Sequence, residues 1–472
     1  MEIESPISNL QSLISNLQSL ISNLQSLMST QFRNFTSRFL ENELIRRIVK
    51  NSSYLFSATG VSAGMSMVQS ILAARLLGPS TFGILGALTA FTSVVNRFAS
   101  FRMNELVVRY VGHYQENDDN RRAAAVFKAA CFLEIGGSLL ALTLVLGLAP
   151  LGARFFAHDA SLAVWFQIYG SIVLANVIFE SATGLLQIFD RFRTMAIITA
   201  AQSALTLSLI AIAYFAKAGL VAVVLAYMTG KIAFSLSVTA AAILEARRAW
   251  GRGWWRTPLG ILKSERRSLL TFAFSTNISS TISLIAKDSE MLWVSAFLGT
   301  TQAGYYKTAL ALSNLLQLPV SPLPTVTFPE LAREIARRNW DNVRYVLRQG
   351  SRLAAAYSVP MILALIIFGK WGIRITYGPE YLAAYPPLAI LLIGYTFVNI
   401  FYWNRVALLS LARPVFPTIV NFTGMVLKVS LIFLLVPRYG YLAFAALLSG
   451  YYIFTVGIAA ARVLVDLRAR AS

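Results

Sequence analysis

Eleven ionisable side chains sit inside or at the edge of long apolar stretches. They are the cations Arg97, Arg102, Lys231, Lys287, Arg405 and Lys428, the acids Glu134, Glu180, Asp288 and Glu290, and Glu105 at the end of one stretch. A charge at the centre of a bilayer costs on the order of 2.5–3.5 kcal/mol on insertion scales, so each needs a partner or a wet cavity. Lys and Arg can replace the water around an anionic ligand such as a diphosphate or an acidic sugar. A desolvated carboxylate can take up and release a proton. Arg97, Lys231, Lys287, Arg405 and Lys428 are therefore the candidate substrate-binding set. Glu134, Glu180, Asp288 and Glu290 are the candidates for coupling to a proton or sodium ion. At about 1.5 Å rise per residue, Lys231, Lys287 and Lys428 fall near mid-membrane, and Arg97, Arg405 and Glu180 fall towards one face. Interhelical salt bridges and snorkelling compete for the same residues, and they suit Arg102 and Glu105 best.

The elements that position these charges are read from hydropathy. The 472 residues are 56% hydrophobic and only 13% charged, where a soluble domain carries about 25% charged residues. A helix needs about 20 apolar residues to cross the hydrocarbon core. Twelve stretches qualify: 54–77, 82–104, 124–150, 162–186, 194–216, 219–245, 268–298, 303–327, 352–376, 385–411, 414–436 and 440–465. The expected fold class is an all-α polytopic membrane protein. The first thirty residues lack an apolar h-region, so no cleavable signal peptide is expected.

The net charge of +20 follows membrane orientation rather than nucleic acid, because Lys and Arg cluster between the spans. With both termini in the cytoplasm, 28 of the 41 Lys and Arg fall on the cytoplasmic side and seven on the other, Lys307 being counted among the seven. The outer loops are short, and His158 and Asp159 make no convincing catalytic pair on them, so an enzyme is not expected. With Cys131 alone there is no internal disulfide, and two histidines, His113 and His158, argue against a His-built metal site. No cofactor is called for.

The spans fall into two copies. Leu77-Gly78 and Gly83 recur as Leu298-Gly299 and Gly304 at an offset of 221. Asp119-Asn120 recurs as Asp341-Asn342, Leu185-Leu186 as Leu408-Leu409, and Lys217-Ala218-Gly219 as Arg438-Tyr439-Gly440. Six helices separate the copies, so both share one orientation, which is a parallel repeat about an axis along the membrane normal. The expected organisation is a heptapeptide-repeat tail at 1–30 (Ile-Ser-Asn-Leu-Gln-Ser-Leu three times), a basic amphipathic interfacial segment at 31–51, an N-lobe at 52–245, a basic cytoplasmic linker at 246–267 and a C-lobe at 268–472, with a central cleft between the lobes.

Several short segments carry a family likeness. They are Arg75-Leu76-Leu77-Gly78-Pro79 with Phe82-Gly83, Gly184-Leu185-Leu186-Gln187 with Arg191-Phe192, Gly304-Tyr305-Tyr306, Phe328-Pro329-Glu330-Leu331-Ala332, Tyr377-Gly378-Pro379-Glu380-Tyr381 and Val436-Pro437-Arg438-Tyr439-Gly440. In this order and spacing the chain resembles the polysaccharide transporter (oligosaccharide flippase) family of the multidrug, oligosaccharidyl-lipid and polysaccharide exporter superfamily. The resemblance implies a flippase that moves a polyprenyl-diphosphate-linked oligosaccharide across a bacterial inner membrane by alternating access, for lipopolysaccharide or exopolysaccharide synthesis. It also implies contacts with membrane lipids and with assembly proteins such as a polysaccharide polymerase. The alternatives are a multidrug exporter of the same superfamily and a membrane-embedded polysaccharide polymerase or ligase. A multidrug exporter for cationic drugs would favour acids in its lumen, whereas the deep charges here lean positive.

Overall fold

The computed structural model describes residues 43–99, 103–263, 265, 267–269, 271, 281–413 and 415–470. The heptapeptide repeat, most of the 31–51 segment and Arg102 lie outside the described residues. Met1–Ser57 forms one unit, helical where described, and Ala58–Ser472 forms a second, compact one.

Within the second unit, every regular element among the described residues is helical. In chain order the elements are α1 Thr59–Ala99, α2 at 103–116, α3 Asn120–Ala157, α4 Ala160–Ile188, α5 Phe192–Phe215, α6 Leu220–Trp250, α7 Glu290–Leu298, α8 Thr300–Leu315, α9 Leu323–Ala336, α10 Trp340–Thr376, α11 Pro379–Ser410, α12 Val415–Tyr439 and α13 Tyr441–Ala469. Nine of these helices, among the described residues, are long and apolar enough to cross a membrane. The first, α1, holds two expected spans, because Gly78 breaks it with φ 69° and ψ 169°. Only glycine adopts that conformation without strain, and Pro79 starts the next helix, where its missing N–H is no loss. The expected spans 268–298 and 303–327 correspond to the shorter described helices α7 and α8. Large apolar side chains such as Ile212, Phe215, Ile367, Phe368, Trp371 and Leu434 point outward, an arrangement suited to hydrocarbon and not to water.

The backbone repeats as the residue pattern does. Positive φ angles occur in pairs: Gly78 with Gly299, Asp118 with Arg338, His158 with Gly378, Asp190 with Ala412, and Lys217 with Gly440. The separations all lie between 220 and 223 residues. The caps repeat too. The Asp119 side chain accepts from the Arg122 backbone N–H, and that of Asn339 accepts from the Asn342 N–H. The fold is thus two copies of one helical unit, an N-lobe and a C-lobe. Gly78, His158, Lys217, Gly299, Gly378 and Gly440 mark a charge-poor end, and Asp118, Asp190, Arg338 and Ala412 mark the opposite, basic end.

Three expected continuous spans are broken. Span 162–186 is α4, interrupted by a 3-10 stretch at Ser171–Asn176 and by non-helical Ile178 (φ −137°). Span 303–327 ends as an α-helix at Leu315, and the chain turns through Pro319 and Pro322 before α9. Span 385–411 lies within α11, whose helix opens at Phe401–Trp403. The breaks in α4 and α11 fall at roughly equivalent places in the two lobes.

Candidate functional site

The lobes meet closely at the charge-poor end, on the repeated glycine motif. A Cβ on Gly83 would lie 1.8 Å from the Thr300 carbonyl oxygen, and one on Gly304 would lie 2.0 Å from the Pro79 carbonyl oxygen. Each lobe therefore presents a glycine to the helix start of the other. The Ser80 and Thr300 hydroxyls hydrogen-bond at 2.8 Å across this seam. The remaining contacts follow the same pseudo-symmetry. On one side, Tyr381 donates to the Ala74 carbonyl at 2.8 Å and the Arg75 guanidinium donates to the Thr376 carbonyl at 2.6 Å. On the other, the Ser295 hydroxyl donates to the Phe156 carbonyl at 2.5 Å, and His158 Nε2 lies 2.8 Å from the Ser295 carbonyl.

The deep charges sort into three kinds by their partners. Two acids are committed within a lobe. Glu290 and Lys428 form an ion pair with both side chains 2% exposed. Tyr306 donates to the same carboxylate at 3.0 Å, and Lys428 Nζ donates to the Ala286 carbonyl at 2.5 Å. Glu134 is buried and accepts from the Glu180 N–H at 2.7 Å, the Ser181 N–H at 2.9 Å and the Ser181 hydroxyl at 2.7 Å. It caps the second half of broken α4, satisfying donors that a helix start leaves orphaned. Glu180 is half-buried beside it.

One pair crosses between lobes. Arg97, on the N-lobe, forms an ion pair with Asp288, and both remain substantially exposed. Asp288 ends a π-helical turn, Leu284–Asp288, which widens the helix just before α7. Such turns place extra backbone at functional positions.

The third kind carries no ion pair among the described residues. Lys287 and Arg405 are exposed. Lys231, half-buried on α6, lies 5.5 Å from the ring centre of Tyr169. Lys307, half-buried on α8, lies 4.0 Å from the ring centre of Phe82 in the other lobe. Lys307, counted among the outer-side cations and within the expected span 303–327, lies on α8 seven residues beyond its start. Its repeat-equivalent position is Gly86, where a Cβ would come within 2.9 Å of Lys307 Cδ. The N-lobe glycine leaves room for the C-lobe lysine, a relation that aligning the two copies exposes.

The fold is a two-lobe helical membrane protein with ionisable side chains set deep among its spans. The chain belongs to the polysaccharide biosynthesis protein family, whose model matches residues 48–334. It is 24% identical over 347 residues to the inner membrane protein YghQ of Escherichia coli (strain K12), covering 72% of this chain and 95% of that one. Its fold matches an inward-facing multidrug resistance MATE family transporter of the MOP superfamily with TM-score 0.74 at 14% identity, covering 87% and 95% of the two chains. It matches the lipid II flippase MurJ, in an inward closed conformation, with TM-score 0.67 at 16% identity, covering 87% of each chain. A MOP-superfamily transporter from Pyrococcus furiosus, described as having a binding pocket of reversed polarity, matches with TM-score 0.65 at 13% identity, covering 92% and 98%.

Proposed function

We propose that the protein is a flippase that carries a polyprenyl-diphosphate-linked oligosaccharide across the cell's inner membrane by alternating access. The observation that carries this reading is two half-buried ammonium groups with no carboxylate partner among the described residues: Lys307, over the Phe82 ring of the other lobe, and Lys231, over the Tyr169 ring. Two like charges so placed are electrostatically incomplete, and a diphosphate would complete them. Exposed Lys287 and Arg405 would extend the cationic lining, while the Lys428 ammonium is already matched by Glu290. A multidrug exporter built for cationic drugs would want acids at this boundary. The family's link to polysaccharide biosynthesis favours the anionic cargo.

The basic end faces the cytoplasm in this reading, with both termini there, because 28 Lys and Arg gather on that side. The seam at Gly83 and Gly304 then closes the outer side, and the conformation is inward-facing. Transport requires that seam to part and the basic ends to converge. Asp288 is the coupling residue that the geometry favours, because its partner Arg97 lies in the other lobe and both side chains stay substantially exposed. A proton or sodium ion on Asp288 would release Arg97 and loosen the lobes. Glu134 and Glu290 are held within single lobes, and Glu180 sits beside the α4 cap.

The test is the leaflet distribution of lipid-linked oligosaccharide in cells lacking the gene and in cells given it back. Accumulation of intact intermediate on the cytoplasmic side, relieved by the restored gene, supports the flippase. Normal distribution with altered polymer length or linkage points to a polymerase or ligase role instead.

A further inference from the structure

Where α3 meets the chain that follows α6, the surface holds a groove of about 490 Å³ that the transport reading does not use. It is lined by Lys128, Cys131, Phe132 and Ile135 of α3 and by Trp254, Trp255 and Arg256. We propose that this groove binds one anionic phospholipid of the cytoplasmic leaflet, with its phosphate on Lys128 and Arg256 and an acyl chain along Phe132 and Ile135.

The chemistry changes along the groove as it does along a phospholipid. The rim is basic. Lys128 Nζ donates to the Thr257 carbonyl at 3.1 Å, which fixes its ammonium at the mouth and ties α3 to the linker. The Arg256 guanidinium lies 4.9 Å from the ring centre of Trp255, with no carboxylate partner among the described residues. Arg121 lines a second recess that shares this stretch of chain, with Gly253, Thr257, Pro258 and Ile261. Deeper in, the lining is apolar. Phe132 and Trp255 stay 56% and 54% exposed, apolar surface that an acyl chain would cover. Trp254 forms the back wall and is held by Phe127 at a ring separation of 5.3 Å.

The dimensions also fit. Lys128 and Ile135 are seven residues apart on one helix, about 10 Å along its axis. That distance runs from the headgroup level into the hydrocarbon. Trp and Arg are the side chains that favour this depth, the indole at the interface and the guanidinium reaching to phosphate. A zwitterionic headgroup would gain less from the rim, because its own ammonium opposes Lys128 and Arg256. Bound lipid would join α3 of the N-lobe to the linker that leads into the C-lobe.

Native mass spectrometry of the full chain, released from detergent after incubation with phosphatidylglycerol or with phosphatidylcholine, tests the assignment. The expected result is retention of phosphatidylglycerol over phosphatidylcholine and a roughly tenfold loss of that preference in Lys128→Gln/Arg256→Gln. Because Lys128 also braces the linker, Arg256→Gln alone serves as a milder variant, expected to lower phosphatidylglycerol retention several-fold. Ile135→Trp fills the groove without touching its charge and is expected to lower retention of both lipids. Equal retention of phosphatidylglycerol by wild type, Arg256→Gln and Ile135→Trp would overturn the proposal. So would a matching occupancy by inorganic phosphate at the same concentration, because the apolar part of the groove would then contribute nothing.

Discussion

Gly304→Ala adds one methyl group at one of two close backbone approaches between the lobes. Alanine is a better helix former than glycine, so α8 itself should tolerate the change or gain slightly from it. The new Cβ, however, would sit 2.0 Å from the Pro79 carbonyl oxygen, a backbone atom that cannot rotate away. Relief requires the helices to part by roughly 1 Å or more. That separation weakens the Ser80–Thr300 hydrogen bond and forfeits the close packing around it. Overpacking and a strained hydrogen bond together put the cost to the closed state at about 2–3 kcal/mol. A shift of that size moves an open–closed equilibrium by roughly 30- to 150-fold. The assay places a single cysteine at Ala74, which is fully buried beneath Tyr381 in the closed seam, in a background with Cys131 replaced. A membrane-impermeant maleimide added from outside should label it much faster in Gly304→Ala and also in Gly83→Ala, the pseudo-symmetric change. Gly136→Ala, whose added Cβ meets nothing within 4 Å, should leave the rate unchanged. Equal labelling of Gly304→Ala and wild type would refute the idea that the glycine motif sets closure.

Lys428→Met leaves the Glu290 carboxylate buried without its counter-charge and should destabilise the protein by about 3–5 kcal/mol, read as a lower Tm in detergent. The double variant Glu290→Gln/Lys428→Met should recover most of that loss, and a double variant as unstable as the single would argue against the pairing. Glu134→Ala strands the donors at Glu180 and Ser181 and should cost about 1–3 kcal/mol, with backbone hydrogen exchange rising locally in the second half of α4. Asp288→Asn should remove the pH or sodium dependence of transport while preserving folding; retained ion dependence would move the coupling role to another acid.

Much of the architecture was legible because turns leave marks that side-chain type alone reveals. Leu77-Gly78 with Gly83 and Leu298-Gly299 with Gly304 announce the repeat, and Gly78 and Gly299 take nearly the same backbone conformation in the two lobes. The breaks inside α4 and α11 left no such mark. Ser171–Asn176 contains neither glycine nor proline, and the opening there is satisfied from elsewhere in the fold: Glu134 of α3 supplies the acceptor for the restarted helix. Hydropathy averages over such a break and reports one continuous span. The deep cations were visible as residue types, yet their roles depended on partners far along the chain. Lys428 finds Glu290 at a separation of 138 residues and Arg97 finds Asp288 at 191. Lys307 counts among the outer-side cations because it lies near the outer end of span 303–327. Only the packing of α8 against Phe82 and Gly86 places it at the lobe boundary.

In the proposed transport cycle an anionic lipid-linked sugar crosses on Lys231 and Lys307. The most direct measurement is translocation of a fluorescent polyprenyl-diphosphate oligosaccharide in liposomes holding the purified protein, comparing wild type with Lys231→Gln/Lys307→Gln. Wild type is expected to move the cargo, and the double variant, equally well inserted and folded, to lose transport by at least tenfold. Undiminished transport in the double variant would contradict the proposed cycle.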